Sequence, residues 1–239
     1  MRIGVFTDIH ANLPALKAVL GAFRDEGCEM IVHTGDAVGY GPHTREVVEA
    51  LLELDQARLL MGNHDEYASS APRVAYERGM DFEERERYQA WVQSQLTDEQ
   101  IGAMALWPHE ERIDLGESDL VFCHYARNAD GTDFAPILRE ATPDAFDILF
   151  DPPIPAIVFH GHDHQPADVQ GRNRFVNPGS AGVWGFPVAR YAIVMVTDNR
   201  APEVRFGEAP YDGDLLLRDL EARNVPAREY VVSVLRRDT

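Results

Sequence analysis

The stretch MRIGVFTDIH, residues 1–10, joins a short apolar run to a polar ending. Residues 3–7 are predicted to form a strand buried in a parallel sheet, and Asp8-Ile9-His10 follows it directly. Later apolar runs also end in His, Asp or Asn. They are residues 30–34, 59–61, 120–123 and 156–159, followed by Gly35-Asp36, Gly62-Asn63-His64-Asp65, His124 and Gly161-His162-Asp163-His164. This pattern indicates an α/β fold whose functional side chains follow the strands.

Helical patterns separate the early strands. Residues 14–23 carry apolar side chains at helical spacing, with Asn12 as the expected cap and Pro14 in the first turn. Residues 44–54 repeat the pattern. Alternation of strands and helices implies a parallel sheet with crossover helices.

The rest of the chain does not continue this alternation of strands and helices. Residues 66–108 are charged and helical in character, and Thr97 with Gln100 predicts a capping box there. Strands are predicted at 174–176, 189–196, 203–206 and 230–234, with a helix over 212–223. We therefore expect one domain, residues 1–239, with two sheet regions and a helical insertion at 66–108.

The composition restricts the functions that the chain can have. Its 239 residues carry a formal net charge of -18, and lysine and arginine do not cluster, which disfavours a long nucleic acid as partner. The sequence contains no run of about eighteen apolar residues, so no membrane span is predicted. Two cysteines in or beside apolar runs, and no signal-peptide pattern, favour a reduced, cytoplasmic protein. The sequence does not indicate the oligomeric state.

The residues that follow the strands are suited to metal binding. In open α/β sheets, ligands bind beyond the carboxyl ends of the strands, where loops can bring these side chains together. Carboxylate, imidazole and amide oxygen are suitable ligands for Mn²⁺, Fe, Zn²⁺ or Ni²⁺. Two such ions about 3.5–4 Å apart can share a carboxylate and activate water between them. The strand-end residues are therefore suited to hold two divalent metal ions as cofactors.

Taken in order, the five strand-end motifs resemble the calcineurin-like metallophosphoesterase superfamily. Gly39-Tyr40-Gly41-Pro42 and Asn177-Pro178-Gly179-Ser180 resemble its small bacterial and archaeal phosphodiesterase branch. The resemblance extends from residue 1 to about residue 197. It implies an α/β fold in which two mixed β-sheets form a sandwich flanked by helices.

The resemblance also implies a role for each motif residue. Three residues are expected to bind the first metal, three the second, and one carboxylate to bridge both. These are Asp8, His10 and His164 for the first ion, Asn63, His124 and His162 for the second, and Asp36 as the bridge. His64 is expected to contact the substrate phosphate or protonate the leaving oxygen, and Asn63 is expected to contact the substrate as well.

Other residues are assigned by chemistry alone. Asp65 is expected to accept a hydrogen bond from the second ring nitrogen of His64 and so fix its tautomer. Arg127 is either a bidentate phosphate clamp or part of a surface salt bridge. His33 is expected to be buried and His43 to lie on the surface. Residues 177–180 are expected to form a turn without chemistry.

Several functions fit these residues. The favoured prediction is a phosphodiesterase that hydrolyses a small or nucleotide-like ester through a water activated by two metals. A phosphomonoesterase, nucleotide phosphatase or protein phosphatase would use the same site. The protein-phosphatase alternative is weakened because Gly39-Tyr40 and Asp65 replace the Arg and Glu that such enzymes carry. A non-catalytic binding scaffold is disfavoured because His64 and all seven expected ligands are present.

Overall fold

The computed structural model describes residues 1–69, 80–116, 118–138, 142–198 and 200–237. Within these ranges the strands are β1 (Arg2–Phe6), β2 (Met30–His33), β3 (Ala57–Leu59), β4 (Glu110–Asp114), β5 (Asp119–Cys123), β6 (Ala156–Phe159), β7 (Ala167–Gln170), β8 (Arg174–Asn177), β9 (Val188–Met195) and β10 (Glu203–Pro210). The helices are α1 (Leu13–Asp25), α2 (Thr44–Leu52), α3 (Asn63–Ser69), α4 (Phe82–Ser94), α5 (Asp98–Met104), α6 (Pro143–Phe150), α7 (Gly213–Ala222) and α8 (Arg228–Leu235).

The strands form two mixed sheets of five strands each, in the orders β10-β9-β1-β2-β3 and β4-β5-β6-β8-β7. β1, β2 and β3 run parallel, as do β5, β6 and β8, whereas β9, β10, β4 and β7 pair antiparallel. The parallel strands of each sheet therefore end at one edge. The two-sheet sandwich expected from the sequence is confirmed.

The core explains why the central strands are apolar on both faces. Side chains from one face of each sheet pack together between the sheets, including Ile3 and Val5 of β1 and Phe122 of β5. Phe6, on the opposite face of β1, packs with α1 and other helices. Phe146 of α6 packs on the outer face of the second sheet. The described elements thus form helix, sheet, sheet and helix layers.

Most local predictions agree with the structure. The Asn12 side chain accepts a hydrogen bond from the backbone of Ala15 and caps α1. Thr97 and Gln100 form the predicted capping box at the start of α5. Part of the predicted helical insertion, residues 70–79, lies outside the described residues. None of the described helices is long and apolar enough to span a membrane.

The predicted strand at residues 230–234 is wrong, because this segment belongs to helix α8. Its β-branched residues favour a strand locally, but Val231, Val234 and Leu235 are buried at helical spacing. Ala227 precedes the helix with a φ of 53°. Tertiary packing against the helical layer therefore overrides the local propensity.

The side chain of His33 on β2 is completely buried, and neither ring nitrogen has a hydrogen-bond partner among the described residues. Its ring packs against Phe6 at a centroid distance of 4.7 Å. Burial lowers the pKa of His33 to about 3. An unfolded histidine titrates near pH 6.5.

This burial predicts acid sensitivity. Above about pH 6.5 His33 is neutral in both states, but at lower pH the unfolded chain alone binds a proton there. The free energy of unfolding should therefore fall by up to about 1.4 kcal/mol per pH unit between about pH 6 and pH 4 from this residue. His33→Phe should remove that contribution in urea denaturation at a series of pH values. Equal slopes in the two proteins would contradict the prediction.

Candidate metal centre

The carboxyl ends of the parallel strands bring the predicted residues to one edge of the sandwich. Asp8 and His10 follow β1, Asp36 follows β2, His124 follows β5, and His162 and His164 follow β6. Main-chain hydrogen bonds join the loops, from Asp8 N to Gly35 O at 3.0 Å and from Gly161 N to His124 O at 2.9 Å. Loops from the two sheets also bond directly, since Gly182 N donates to Asp8 O at 3.0 Å. The edge is therefore a rigid platform.

A first cluster contains four buried residues. One ligand atom each of Asp8, His10, Asp36 and His164 lies within 4.8 Å of the others. The Nε2 atoms of His10 and His164 are 3.1 Å apart. Asp8 Oδ1 is 3.5 Å from His164 Nε2, and Asp36 Oδ2 is 3.7 Å from His10 Nε2. Two imidazoles and two carboxylates thus converge on one point.

A second cluster shares Asp36 with the first. Ligand atoms of Asp36, His124 and His162 also lie within 4.8 Å of one another. Asp36 Oδ2 is 3.4 Å from His124 Nε2, and Asn63 Oδ1 is 3.0 Å from the same nitrogen. All seven residues expected to bind metals are therefore brought together, with Asp36 common to both groups.

Two of the imidazoles are held with Nε2 towards the clusters. His10 Nδ1 lies 3.0 Å from Val38 O, and His124 Nδ1 lies 3.1 Å from Thr34 O. Because a carbonyl oxygen only accepts, each Nδ1 carries the hydrogen. A neutral ring then presents the Nε2 lone pair, which is the usual arrangement of a histidine that binds a metal.

Burial controls the charges of the first cluster. It lowers the pKa of His10 to about 3 and lowers that of His164 well below its ordinary value. Burial also raises the pKa of Asp8 to about 7, and the charge of Asp36 adds to this effect. The imidazoles are therefore neutral at pH 7, as metal binding requires.

The second cluster contains one ion pair. Burial lowers the pKa of His162 to about 3. Burial also opposes charge on His124 and Asp36, but their mutual attraction outweighs it. The pKa of His124 rises to about 9, and that of Asp36 falls well below its ordinary value. A cation bound here would take the place of the His124 proton, since metals compete with protons for such groups.

The donor set fits divalent metal ions. Two carboxylates, four imidazoles and one amide oxygen converge in a buried region, and such a set is suited to Mn²⁺, Fe, Zn²⁺ or Ni²⁺. Buried carboxylates that face each other are costly unless a cation compensates them. The close approach of Asp8 also depends on Gly161, where a Cβ atom would overlap with Thr7 Oγ1 and Asp8 Oδ2.

Unusual backbone geometry marks the same loops. Five of the seven expected ligands have a positive φ: Asp8 (52°), His10 (46°), Asp36 (60°), His162 (73°) and His164 (65°). Tyr40 (54°) and Trp184 (56°) share this left-handed conformation. Each such residue costs on the order of 1–3 kcal/mol and persists where the surrounding structure enforces it. This concentration of strain is typical of a functional site.

The predicted contact between Asp65 and His64 is wrong. The Asp65 carboxylate instead accepts hydrogen bonds from four backbone N–H groups. They belong to Asp36 (2.8 Å), Ala37 (2.9 Å), Val38 (3.3 Å) and Gly62 (3.0 Å). These bonds occupy both carboxylate oxygens. Asp65 is thus a positioning residue that ties the loop of Asp36 to the loop of His64.

Replacing Asp65 with Asn should destabilise the fold by about 3 kcal/mol, because an amide nitrogen would face backbone N–H donors that then lose their acceptor. Metal affinity should fall as well, since the loop of Asp36 loses its anchor. Urea denaturation and metal analysis of the same preparations measure both effects. Asp55→Asn, at an exposed loop position, is the matched control. A loss below about 1 kcal/mol would contradict this role.

His64 lies beside the first cluster. Its ring centroid is 4.9 Å from that of His10 and 5.0 Å from that of Tyr40. Its backbone N–H donates to Asp36 Oδ1 at 2.8 Å. A Cβ atom at Gly39 would lie 2.5 Å from His64 Nδ1, so this glycine makes room for the imidazole.

Arg127 forms the salt bridge that was one of its two predicted roles. Its guanidinium donates to Glu66 Oε1 at 2.8 Å and to Gly131 O at 2.7 Å, and it lies 4.7 Å above the ring of Phe134. Phe134 in turn contacts His162 at a centroid distance of 5.8 Å. A substrate phosphate would have to compete with Glu66 for this guanidinium.

Sequence reasoning missed the role of Ser180. Its hydroxyl donates to Asp8 O at 2.8 Å and accepts from Val183 N at 3.0 Å. The turn at residues 177–180 therefore fixes the loop that carries Asp8. The expected surface position of His43 is also wrong, because His43 is buried and bonds Asp219 at 2.8 Å. A distant carboxylate partner of this kind has no local sequence signal.

The fold and the buried Asp/His clusters define a metallophosphoesterase. A model of the calcineurin-like phosphoesterase superfamily domain matches residues 1–199. The chain belongs to this superfamily. The resemblance drawn from the five motifs and the expected enzyme class, a phosphoric ester hydrolase, are both confirmed.

Two solved structures and one further protein are similar to this chain. A metallophosphoesterase from Sphaerobacter thermophilus superimposes with a TM-score of 0.72 at 26% identity and covers 98% of each chain. A hypothetical protein from Pyrococcus horikoshii OT3 shares the fold, with a TM-score of 0.80 at 20% identity over 100% of this chain and 98% of that one. An uncharacterized protein from Methanocaldococcus jannaschii is 44% identical over 63 residues, which span 26% of each protein.

Proposed function

We propose that this protein is a phosphodiesterase that uses two divalent metal ions to hydrolyse a small or nucleotide-like phosphate ester. The observation that carries the proposal is the position of Asp36, whose carboxylate belongs to both clusters of ligand atoms. In this proposal Asp8, His10 and His164 bind one ion, and Asn63, His124 and His162 bind the other. A cytoplasmic location and manganese as the native metal remain predictions from the sequence.

The metal ions, when bound, would lower the pKa of water and neutralise charge on the phosphoryl oxygens. The chain contributes positioning and proton transfer. In this proposal His64, whose ring lies next to the first cluster, donates a proton to the leaving oxygen as the P–O bond breaks. Asp65 holds the two loops that carry Asp36 and His64.

The charges around the site favour a diester over a monoester. A diester carries one negative charge and a monoester carries close to two, so a monoester needs more positive charge at the site. Arg127 is already paired with Glu66, which has a second partner in His109 at 3.3 Å. This pairing leaves the guanidinium less available to a doubly charged phosphate.

Hydrolysis of bis-p-nitrophenyl phosphate beside p-nitrophenyl phosphate tests the proposal. Protein stripped by a chelator should be inactive, and Mn²⁺, Ni²⁺, Zn²⁺ and Mg²⁺ should each be added back separately. We expect at least one metal to restore activity, with a higher kcat/KM for the diester. A higher value for the monoester would indicate a phosphatase. Full activity after confirmed metal loss would refute the metal mechanism.

Metal removal should also lower thermal stability. A ligand that binds the folded state alone stabilises it by RT ln(1 + [L]/Kd), or about 2.7 kcal/mol at a hundredfold excess over Kd. Thermal unfolding before and after chelation, with metal content measured on the same samples, checks this effect. An unchanged Tm after complete metal loss would show that the bound metal does not stabilise the folded protein, contrary to this prediction.

A further inference from the structure

A cavity of about 470 Å³ lies beside the candidate metal centre. His162 and His164 form the part of its wall nearest the metals, and each belongs to a different cluster. Its volume is within the range of about 300–1,000 Å³ that is typical of small-molecule sites. A phosphate ester bound at the metals would therefore have room for an organic group on this side.

Aromatic side chains line the cavity next to these histidines. The ring of Trp184 meets the ring of His164 edge to face, with centroids 5.2 Å apart and an interplanar angle of 89°. Tyr40 packs against His10 at 4.7 Å, and Tyr230 of α8 lies 6.4 Å from Tyr40. The metal centre is thus continuous with an aromatic wall.

The backbone at Trp184 is held in an unfavourable conformation. Its φ of 56° is a genuine outlier for a bulky residue, and Tyr40 has a similar value of 54°. The loop cannot relax freely, because a Cβ atom at Gly182 would overlap with Ile9 O. A bulky residue held in this conformation, among the strained residues of the metal centre, is typical of a functional position.

The lining of the cavity contains one arginine, Arg237, and one carboxylate, Asp163. Arg237 lies 5.8 Å from the centroid of Trp184, and it has no ion pair within the part of the chain that the structure describes. The chain as a whole has a net charge of -18. The part of the cavity next to Arg237 and the ring of Trp184 therefore favours an anionic group.

We infer that this cavity binds the organic group of the phosphate ester, and that the group is a planar aromatic ring stacked on Trp184. This inference rests on the proposed function, since the phosphate is taken to lie at the metals. Nucleobases and simple aryl groups share this chemistry, because each presents a flat π-face to an aromatic side chain. Trp184 is then a specificity-determining residue, and Tyr230 is another aromatic residue of the lining.

Equilibrium binding of phosphonates tests the inference, because their C–P bond is not hydrolysed. The probes are the methyl esters of benzylphosphonate, of the saturated cyclohexylmethylphosphonate, and of the methylenephosphonate analogue of adenosine 5′-monophosphate, each of which carries a single negative charge as a phosphodiester does. Each is titrated into the Mn²⁺-loaded protein by calorimetry. The proteins are the wild type, Trp184→Leu, Trp184→Phe and the matched control Trp91→Leu, whose tryptophan lies on α4 and does not line the cavity.

We expect the wild type to bind at least one aromatic probe about tenfold more tightly than the saturated probe, since stacking on an aromatic side chain contributes about 1–3 kcal/mol. Trp184→Leu should lose this preference, whereas Trp184→Phe and Trp91→Leu should retain it. The aromatic probe that binds more tightly identifies an aryl or a nucleoside group. Unfolding curves confirm that each variant is folded.

Equal binding of the benzylphosphonate ester, its saturated counterpart and the nucleoside analogue would overturn the inference and leave the proposed function intact. A ring preference that survives in Trp184→Leu would overturn the role of Trp184 in the same way. If no phosphonate binds and no ester is hydrolysed with any metal, the proposed function fails and the inference fails with it.

Discussion

Replacing Asp36 with Asn should reduce activity by on the order of 10⁴-fold, because a carboxylate shared by two metal ions contributes to both, and each ion is worth several kcal/mol. Asp36 Oδ2 lies 3.7 Å from His10 Nε2 and 3.4 Å from His124 Nε2, one nitrogen from each cluster. The amide keeps the shape of the side chain but lacks its charge. Metal content should therefore fall from about two ions per chain to below about one.

Elemental analysis and kcat/KM on the same preparation measure this prediction. Asp55→Asn, the exposed control, should retain full metal content and activity. A thermal unfolding curve separates metal loss from loss of fold, since Asp36 Oδ1 also accepts a hydrogen bond from His64 N. A variant that keeps two metals and near-normal activity would show that Asp36 does not bridge the ions.

Replacing His64 with Asn should lower kcat by about 10²- to 10⁴-fold while about two metal ions remain bound, since this is the range for general acid–base groups. The ring of His64 lies beside the ring of His10, but His64 is not part of either cluster of ligand atoms. Its expected contribution is a proton for the leaving oxygen. Loss of that proton should slow bond cleavage and leave metal affinity intact.

The size of the His64 effect should depend on the leaving group. A nitrophenolate ion is a stable anion and needs little protonation, whereas an alkoxide or nucleoside oxygen needs much more. His64→Asn should therefore slow nitrophenyl esters less than alkyl or nucleoside esters. Asp55→Asn, the exposed control, should leave the rates on both substrates unchanged. Equal slowing on both substrates, or loss of a metal, would contradict the role of leaving-group acid.

The strand-end motifs are predictable because parallel strands in one sheet end at the same edge. Asp8 and Asp36 are separated by a helix in the sequence, yet β1 and β2 pair in register and place them side by side. The same logic applies to His124 and His162 after the parallel strands β5 and β6. Local periodicity and strand order therefore predict which side chains lie at the edge of each sheet.

Other features depend on contacts between distant segments and could not be predicted. The four backbone N–H groups that bind Asp65 come from two loops, so its role has no signal in the Asn-His-Asp motif. His43 is buried by a partner in α7, far along the chain. The proposed role of Trp184 depends on its contact with His164. That contact is created by the folding of the chain and has no local sequence signal.

Anomalous diffraction from crystals of the Mn²⁺-loaded protein tests the central claim most directly. The account predicts two metal peaks about 3.5–4 Å apart with the Asp36 carboxylate between them. It also places His10 and His164 on one ion and His124 and His162 on the other. A single peak, or two peaks that do not share Asp36, would contradict the two-metal mechanism.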